Sequence, residues 1–524
     1  MLPSVHLRKI DDRCWAPLIC LSVASAAACL VVSSQRFGTL AFHSDVVETT
    51  GGEGPCIYGI WKVARGFRLY EDPDKGNYAL TLYNYLFYYA YGIPLKAAAD
   101  TGHAILLWGR LASMFAAAGG AMGEWMFIRD LARGNWSPTK GFISACLCIP
   151  IWLGPLAGWY PFSDRPDMLA LAFVAWGLFF YWRGISTEKL WLAVTGSLFF
   201  FLAWSVKQSA VWTLAALLVY SVLSRPRLAH VTALVLPFSL LTGAALGLGS
   251  AVYRHNILWA PSISHFGLDI LLRNAVLALA SDPFAWMFCG VFILVGRKAM
   301  FLRTFEERAW PLFWAMACVM LVMCSVACAK DGSSQNHFLE AAVALNAFAI
   351  AAMITVSRTA PSSIRVSAIA LLLATAVLPT LQAVFPWGLD PRLGWHSLRI
   401  TNAADLARRS FAVDLKHLPK PIFTDDDIFA MPWHSTDDHY PAFAIDHVFY
   451  DEAKRQGKLK DGGIGSLVRQ KYFGSLVIDA DNQLLSEALS CGYIREGSVR
   501  SVPQAFQSWN EANFVILLRP ESVR

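Results

Sequence analysis

Charge is what this chain has least of. Only 16% of its 524 residues are Asp, Glu, Lys or Arg, against roughly 25% in soluble globular domains. That deficit excludes an ordinary soluble protein as a description of the whole chain. Strong charge of one sign is missing as well: the net +6 is small and dispersed, which argues against a nucleic-acid surface and leaves room for a positive-inside bias. The eleven cysteines include no pair with metal-ligand spacing and histidine partners. Cys20, Cys29, Cys146, Cys148, Cys289, Cys318, Cys324 and Cys328 sit in apolar runs and read as small core residues. Cys56 and Cys491 fall in segments expected outside the membrane and form the one pair placed to bridge. Internal repeats and low-complexity tracts are absent.

What is present is apolar length. Hydrophobic residues make up 56% of the chain, and runs long enough to span a bilayer recur along it. Spans are expected near 16–34, 104–128, 141–159, 167–182, 190–204, 209–224, 231–252, 284–296, 310–328, 338–357 and 366–386, about eleven in all. The basic N-terminus ahead of the first run resembles a signal peptide, but the run is long enough to stay as an uncleaved helix. The Tyr-rich stretch 79–93 is expected to be re-entrant or interfacial.

Basic residues set the orientation. Arg8, Lys9, Arg129, Arg133, Lys140, Arg183, Lys189, Arg225 and Arg227 gather in alternate turns, which places those turns in the cytoplasm. Every polar cluster then falls on the outer face: the first loop (35–103), SDRPD at 163–167, SVKQ at 205–208, RHN at 254–256 and KDGSSQNHFLE at 330–340. From 391 onward the chain becomes charged. KPIFTDDDIFAMP, FGSLVIDA and NFVILLRP read as strands, and AADLARRSFAVDLKHL and HVFYDEAKRQG as amphipathic helices. The expected fold is therefore a polytopic α-helical membrane domain over 1–390 and a soluble α/β domain over 391–524, outside, docking an acceptor or capping the site.

Each cluster has a functional and a plain reading. Asp45, Glu48 and Glu53 lie in the first loop, where Gly51–Pro55 bends the chain into a helix expected along the interface, with Trp61 and Tyr70 at headgroup depth. They are either site carboxylates or solvated loop charges. Asp164 and Asp167 flank Arg165 at the start of a span; helix capping accounts for one acid but not both. Lys207 beside Gln208 is either a cation for a ligand or a snorkelling lysine. Asn336 and Glu340 share a helix face, and Glu340 is either functional or half of a buried pair with Lys330 or Lys207. His337 alone reads more simply as an interfacial histidine.

Four elements in order give a resemblance. They are Glu53-Gly54 followed by Arg65, Gly66 and Tyr70; Arg165-x-Asp167; Lys207-Gln208; and Gly332, Ser333, Asn336, Phe338 and Glu340, with His337 where tyrosine is common. With these the chain resembles the GT-C superfamily of bacterial membrane glycosyltransferases, the group that includes protein O-mannosyltransferases and lipid A aminoarabinose transferases. It departs from the group at LYNYLFYY, where Asn84 replaces a proline, and in lacking an adjacent Asp-Glu pair.

The resemblance implies transfer of a sugar from a polyprenyl-phosphate donor to a hydroxyl on a glycan, lipid or protein of the cell envelope, outside a bacterial inner membrane. It implies Glu53 or Asp45 as base, Asp167 orienting the acceptor, and Arg165 and Lys207 stabilising the departing phosphate. Asp164, Gln208, Asn336, His337 and Glu340 would complete the substrate-binding set. It admits a divalent cation without demanding one. A flippase for a lipid-linked sugar and a non-catalytic membrane scaffold are the competing readings.

Overall fold

The computed structural model describes residues 15–42, 45–47, 49, 52–97, 102–132, 136–154, 156–224, 227–281, 309–330, 333, 335–356, 402–434, 441–479, 482–496, 500–503 and 512–520. The expected spans near 284–296 and 366–386, Glu48, Gly332 and the domain boundary at 390 lie outside them. Every other expected span coincides with a helix: α1 (Trp15–Phe42), α4 (Gly102–Leu131), α5 (Pro138–Leu153), α6 (Asp167–Thr187), α7 (Leu190–Val206), α8 (Trp212–Ser224) and α9 (Leu228–Leu248). The helices within 309–328 and at Leu339–Val356 complete the described set. Five of these are long and apolar enough to cross a bilayer, and α5, α7 and α8 are shorter apolar helices. The short helices α2 (Glu53–Arg65) and α3 (Tyr85–Gly92) belong to the first loop; at 8 residues α3 is far too short to span.

Small residues determine how the bundle positions its polar end. A side chain at Gly196 of α7 would meet Gly177 O and the Tyr181 backbone of α6 at 2.9 Å, so the two backbones pack closely as an antiparallel pair. Their connection, Glu188 in the left-handed region (φ 57°), turns the chain at the opposite end. The pair therefore brings the start of α6 (Asp167) beside the end of α7 (Lys207). On α4, a Cβ at Gly109 would stand 1.4 Å from Asp164 Oδ1, so only glycine admits the 163–167 turn there.

α2 departs from its expected surroundings. Its helix signals are ordinary: Pro55 in the first turn, Lys62 and Arg65 in the last, and Gly66 closing it at φ 77°. It does not lie on lipid, however. Every residue from Glu53 to Ala64 is buried, Trp61 included, and Tyr70 donates from its hydroxyl to Tyr83 O at 2.9 Å. Its basic face is covered by protein: Lys62 Nζ donates to Thr81 Oγ1 at 3.1 Å and stands 4.9 Å from the Tyr58 ring centre. Burial lowers the Lys62 pKa to about 8.

The cover includes the C-terminal part. Its strands β1 (Ile422–Thr424), β2 (Ser475–Asp479), β3 (Tyr493–Arg495), β4 (Arg500–Pro503) and β5 (Ala512–Pro520) form one sheet of order β1-β2-β5-β3, with β4 also on β5. β1 and β2 are parallel; the other pairs are antiparallel. The expected helices appear as Asn402–Lys416 and His447–Arg455. This part is not detached from the bundle. Phe411, Ile428 and Phe429 join the bundle's core, and Tyr78 of the first loop joins the sheet's core. Cys56 and Cys491 are free thiols, one buried and one half-buried, so the bridge considered above is not formed.

Docking of this part on the first loop is expected to weaken in acid. His434 is buried, with Nε2 2.9 Å from the Asp45 carbonyl oxygen, and burial pulls its pKa from 6.5 to about 4. The folded state binds fewer protons than the unfolded one across that window. Stability is therefore full above about pH 6.5 and falls as pH drops towards about 4. The loss approaches about 3 kcal/mol in all. Thermal unfolding followed across the same range checks this, and His434→Gln should lack that share of the slope.

Candidate active site

The polar turns meet at one end of the bundle around two carboxylate clusters. The first is sealed. Glu53 is wholly buried; its Oε2 accepts from Thr49 N (2.5 Å), Thr49 Oγ1 (2.8 Å) and Arg110 Nη2 (3.5 Å), and its Oε1 from Asp164 N (2.7 Å). Arg110 also donates to Val47 O at 2.7 Å and Leu40 O at 3.3 Å, and its Nε lies 3.8 Å from Asp164 Oδ2. Two acids thus share one guanidinium. Burial first, and the Glu53 carboxylate second, hold the Asp164 carboxyl well above the usual carboxylate range.

The second cluster faces open space. Asp167 Oδ1 accepts from Lys207 Nζ at 2.6 Å and from Asn336 Nδ2 at 2.8 Å, and its Oδ2 from Arg165 Nε at 3.2 Å. Capping of α6 is thus not what Asp167 does; its oxygens serve Arg165 of its own turn and groups from two other segments. Two cations on one carboxylate leave a net positive charge. Arg165 also donates to Tyr83 Oη at 3.2 Å and stacks over Tyr160 at 5.2 Å.

Arg165 and Lys207 line a cavity of about 530 Å³ between the bundle and the C-terminal part. Gln208, Asn336, His337 and Lys330 share its wall, as do the apolar Trp212, Ile257 and Val326 and the C-terminal residues Asp427, Asp446 and Phe449. Val326 is 55% exposed on the bundle's apolar surface, so the cavity's apolar flank continues to where lipid would lie. Gln208 donates to Leu82 O at 2.7 Å and pins the first loop to this wall.

The remaining expected residues divide. Asp45 lies away from the cavity, paired with Arg409 at 2.8 Å. Glu340 takes neither Lys330 nor Lys207; it accepts from Thr213 N at 2.7 Å and caps the start of α8 from across the bundle. Asn336 and Glu340 face one small pocket together, with Asp167, Lys207 and His337. Arg254 donates to Gly249 O and Leu246 O, closing the end of α9.

Arg110 went unnoticed in the sequence although it interrupts an apolar span, which is itself a signal. Asp427 was hidden inside a strand pattern. A cation on Asp167 would compete with Lys207, Arg165 and Asn336 for its oxygens, so these residues do not fit a metal there. Among the described residues one group, Asp72, Asp74 and His255, is compact enough for an ion, and Lys460 already bonds it, Nζ 2.8 Å from Asp72.

Comparison with known proteins identifies the fold. No protein-family model matches the chain, and no curated protein matches it by sequence. Among solved structures, ArnT from Cupriavidus metallidurans bound to undecaprenyl phosphate aligns with a TM-score of 0.54 at 12% identity, over 96% of this chain and 98% of its own. The same protein in the apo state aligns at 0.55 and 12% identity, over 95% and 97%. The Archaeoglobus fulgidus oligosaccharyltransferase in the apo form aligns at 0.47 and 12%, over 80% and 60%. The chain has the GT-C fold of polytopic membrane glycosyltransferases.

Proposed function

We propose that this GT-C-fold membrane protein transfers a sugar from a polyprenyl-phosphate donor to an acceptor hydroxyl, on the outer face of a bacterial inner membrane. The observation that carries the reading is the cavity itself. Arg165 and Lys207 share a single carboxylate at one end, and an apolar flank of Trp212, Ile257 and Val326 runs towards lipid. A phosphate with a prenyl tail has that polarity. ArnT, which shares the fold, was crystallised with undecaprenyl phosphate.

In this reading the surplus positive charge stabilises the phosphate as it leaves. Asp167, itself held by Asn336, keeps Lys207 in place, and Glu53 holds the 163–167 turn through Asp164 N, so Glu53 is a positioning residue. Holding donor and acceptor in line supplies much of the rate.

The test uses the full chain in lipid nanodiscs with radiolabelled undecaprenyl-phosphate hexoses and pentoses and an envelope extract as acceptor. Release of undecaprenyl phosphate coupled to label in the acceptor is the expected result. Binding of every donor without release would favour a flippase, and no binding of undecaprenyl phosphate would overturn the reading.

A further inference from the structure

We infer that Asn84 is a positioning residue that fixes Lys207 for the donor phosphate by bracing the end of α7; this rests on the donor reading proposed above. Asn84 stands at the N-cap position of α3, where asparagine ordinarily accepts from the first amides of the helix. It does not do so here. Its side chain makes no capping bond, and its φ of −73° would suit proline as well. The backbone gives no reason for asparagine at this point; the reason lies in what the side chain reaches.

Both polar ends of this wholly buried amide are used across the fold. Nδ2 donates to Trp204 O at 2.7 Å, 120 positions away, and Oδ1 accepts from Tyr253 Oη at 2.6 Å. Trp204 O belongs to the last turn of α7, whose carbonyls have no partners within the helix itself. Lys207 follows directly. Its amide closes that turn on Ala203 O at 2.9 Å, and its Nζ reaches Asp167 Oδ1 at 2.6 Å. Asn84 thus caps, from another segment, the turn that carries the cation.

The brace has a fixed end. Tyr253 sits in the short helix Ala251–Arg254, its ring edge-on to Tyr70 with centres 5.0 Å apart. A Cβ on Gly249 would stand 2.3 Å from Tyr253 Cδ1, so the ring also lies against the backbone where α9 ends. Asn84 therefore joins the end of α7 to the segment that follows α9. Its neighbours repeat the stitch: Leu82 O accepts from Gln208 Nε2 at 2.7 Å, and Tyr83 Oη from Arg165 Nη2 at 3.2 Å.

A lysine ammonium is a point charge on a flexible four-carbon stem, so the place where its backbone is held decides which anion it can serve. Asp167 holds the tip of Lys207 and Asn84 holds its base. Freed at the base, Lys207 can follow Asp167 away from the cavity wall. The phosphate then loses a cation while the apolar flank of the cavity keeps its contacts with the prenyl tail.

The test uses the full chain in nanodiscs, with binding of undecaprenyl phosphate and of undecaprenol read by tryptophan fluorescence. The variants are Asn84→Leu, of similar volume without either polar atom, and Tyr253→Phe, each alone and combined with Lys207→Met. Asn84→Leu should weaken undecaprenyl phosphate about 10-fold and Tyr253→Phe about 3-fold, the range set by one hydrogen bond's net worth. Undecaprenol should bind both as it binds wild type, and neither change should add a loss once Lys207 is methionine. Wild-type affinity for undecaprenyl phosphate in Asn84→Leu overturns the inference. So do equal losses for the two lipids, or losses that add fully to that of Lys207→Met. If Asn84→Leu does not fold, Tyr253→Phe decides by the same comparisons. A wild-type protein that binds no undecaprenyl phosphate defeats the donor reading first, and this inference with it.

Discussion

Arg110→Met is expected to destabilise the protein by about 3–5 kcal/mol, the range for breaking a buried ion pair from one side. The guanidinium has no exposed surface, and it serves Glu53, Asp164, Val47 O and Leu40 O at once. Methionine fills similar volume but leaves the Glu53 charge buried and two carbonyls short of a donor. Adding Glu53→Gln should restore part of the loss, because the orphaned charge is removed with its partner. Thermal unfolding of the single and double variants in detergent decides the matter. A single variant as stable as wild type would mean that the buried cluster is not assembled around Arg110.

Lys207→Met should weaken binding of undecaprenyl phosphate by about 2–5 kcal/mol, the cost of truncating a buried, hydrogen-bonded charge, which is roughly 30-fold or more in Kd. Lys207 Nζ lies 2.6 Å from Asp167 Oδ1 and on the cavity wall. Its removal leaves Arg165 alone to balance Asp167 and erases the surplus charge. Undecaprenol, which lacks the phosphate, should bind both proteins equally. Lys207→Arg keeps the charge without the point geometry and should fall between. Equal undecaprenyl-phosphate affinity in Lys207→Met would move the phosphate elsewhere.

The bundle was readable because long apolar runs have few alternatives to spanning helices. The convergence of Asp164, Arg165, Asp167, Lys207 and Asn336 followed from orientation: charged turns at one end of antiparallel helices must be neighbours. What escaped was contact between distant segments. The amphipathic pattern of α2 fits an interface helix, yet its polar face is met by the chain around Thr81 and Glu71. A pattern reports that one face is polar and is silent on whether water, lipid or protein meets it. Glu53 reads as a site base or a solvated loop acid, and not as a sealed one, because Arg110, the residue that buries it, is 57 positions away in a span. Asp427 looked like the end of a strand because alternation conveys the strand and not the turn after it.

Tyr78 shows how late the junction between the first loop and the C-terminal sheet is completed. The ring of this early-loop tyrosine is part of the sheet's own interior, its hydroxyl donates to Lys460 O at 3.0 Å, and Ala444 N donates to Asn77 O at 2.8 Å. During synthesis the N-terminal helices insert long before β5 emerges, so this tyrosine waits exposed until the last strand is made. The contact between the first loop and the sheet is therefore made only after the C-terminal part has been synthesised. Grafting the soluble portion onto another bundle would strip it of a ring from its middle.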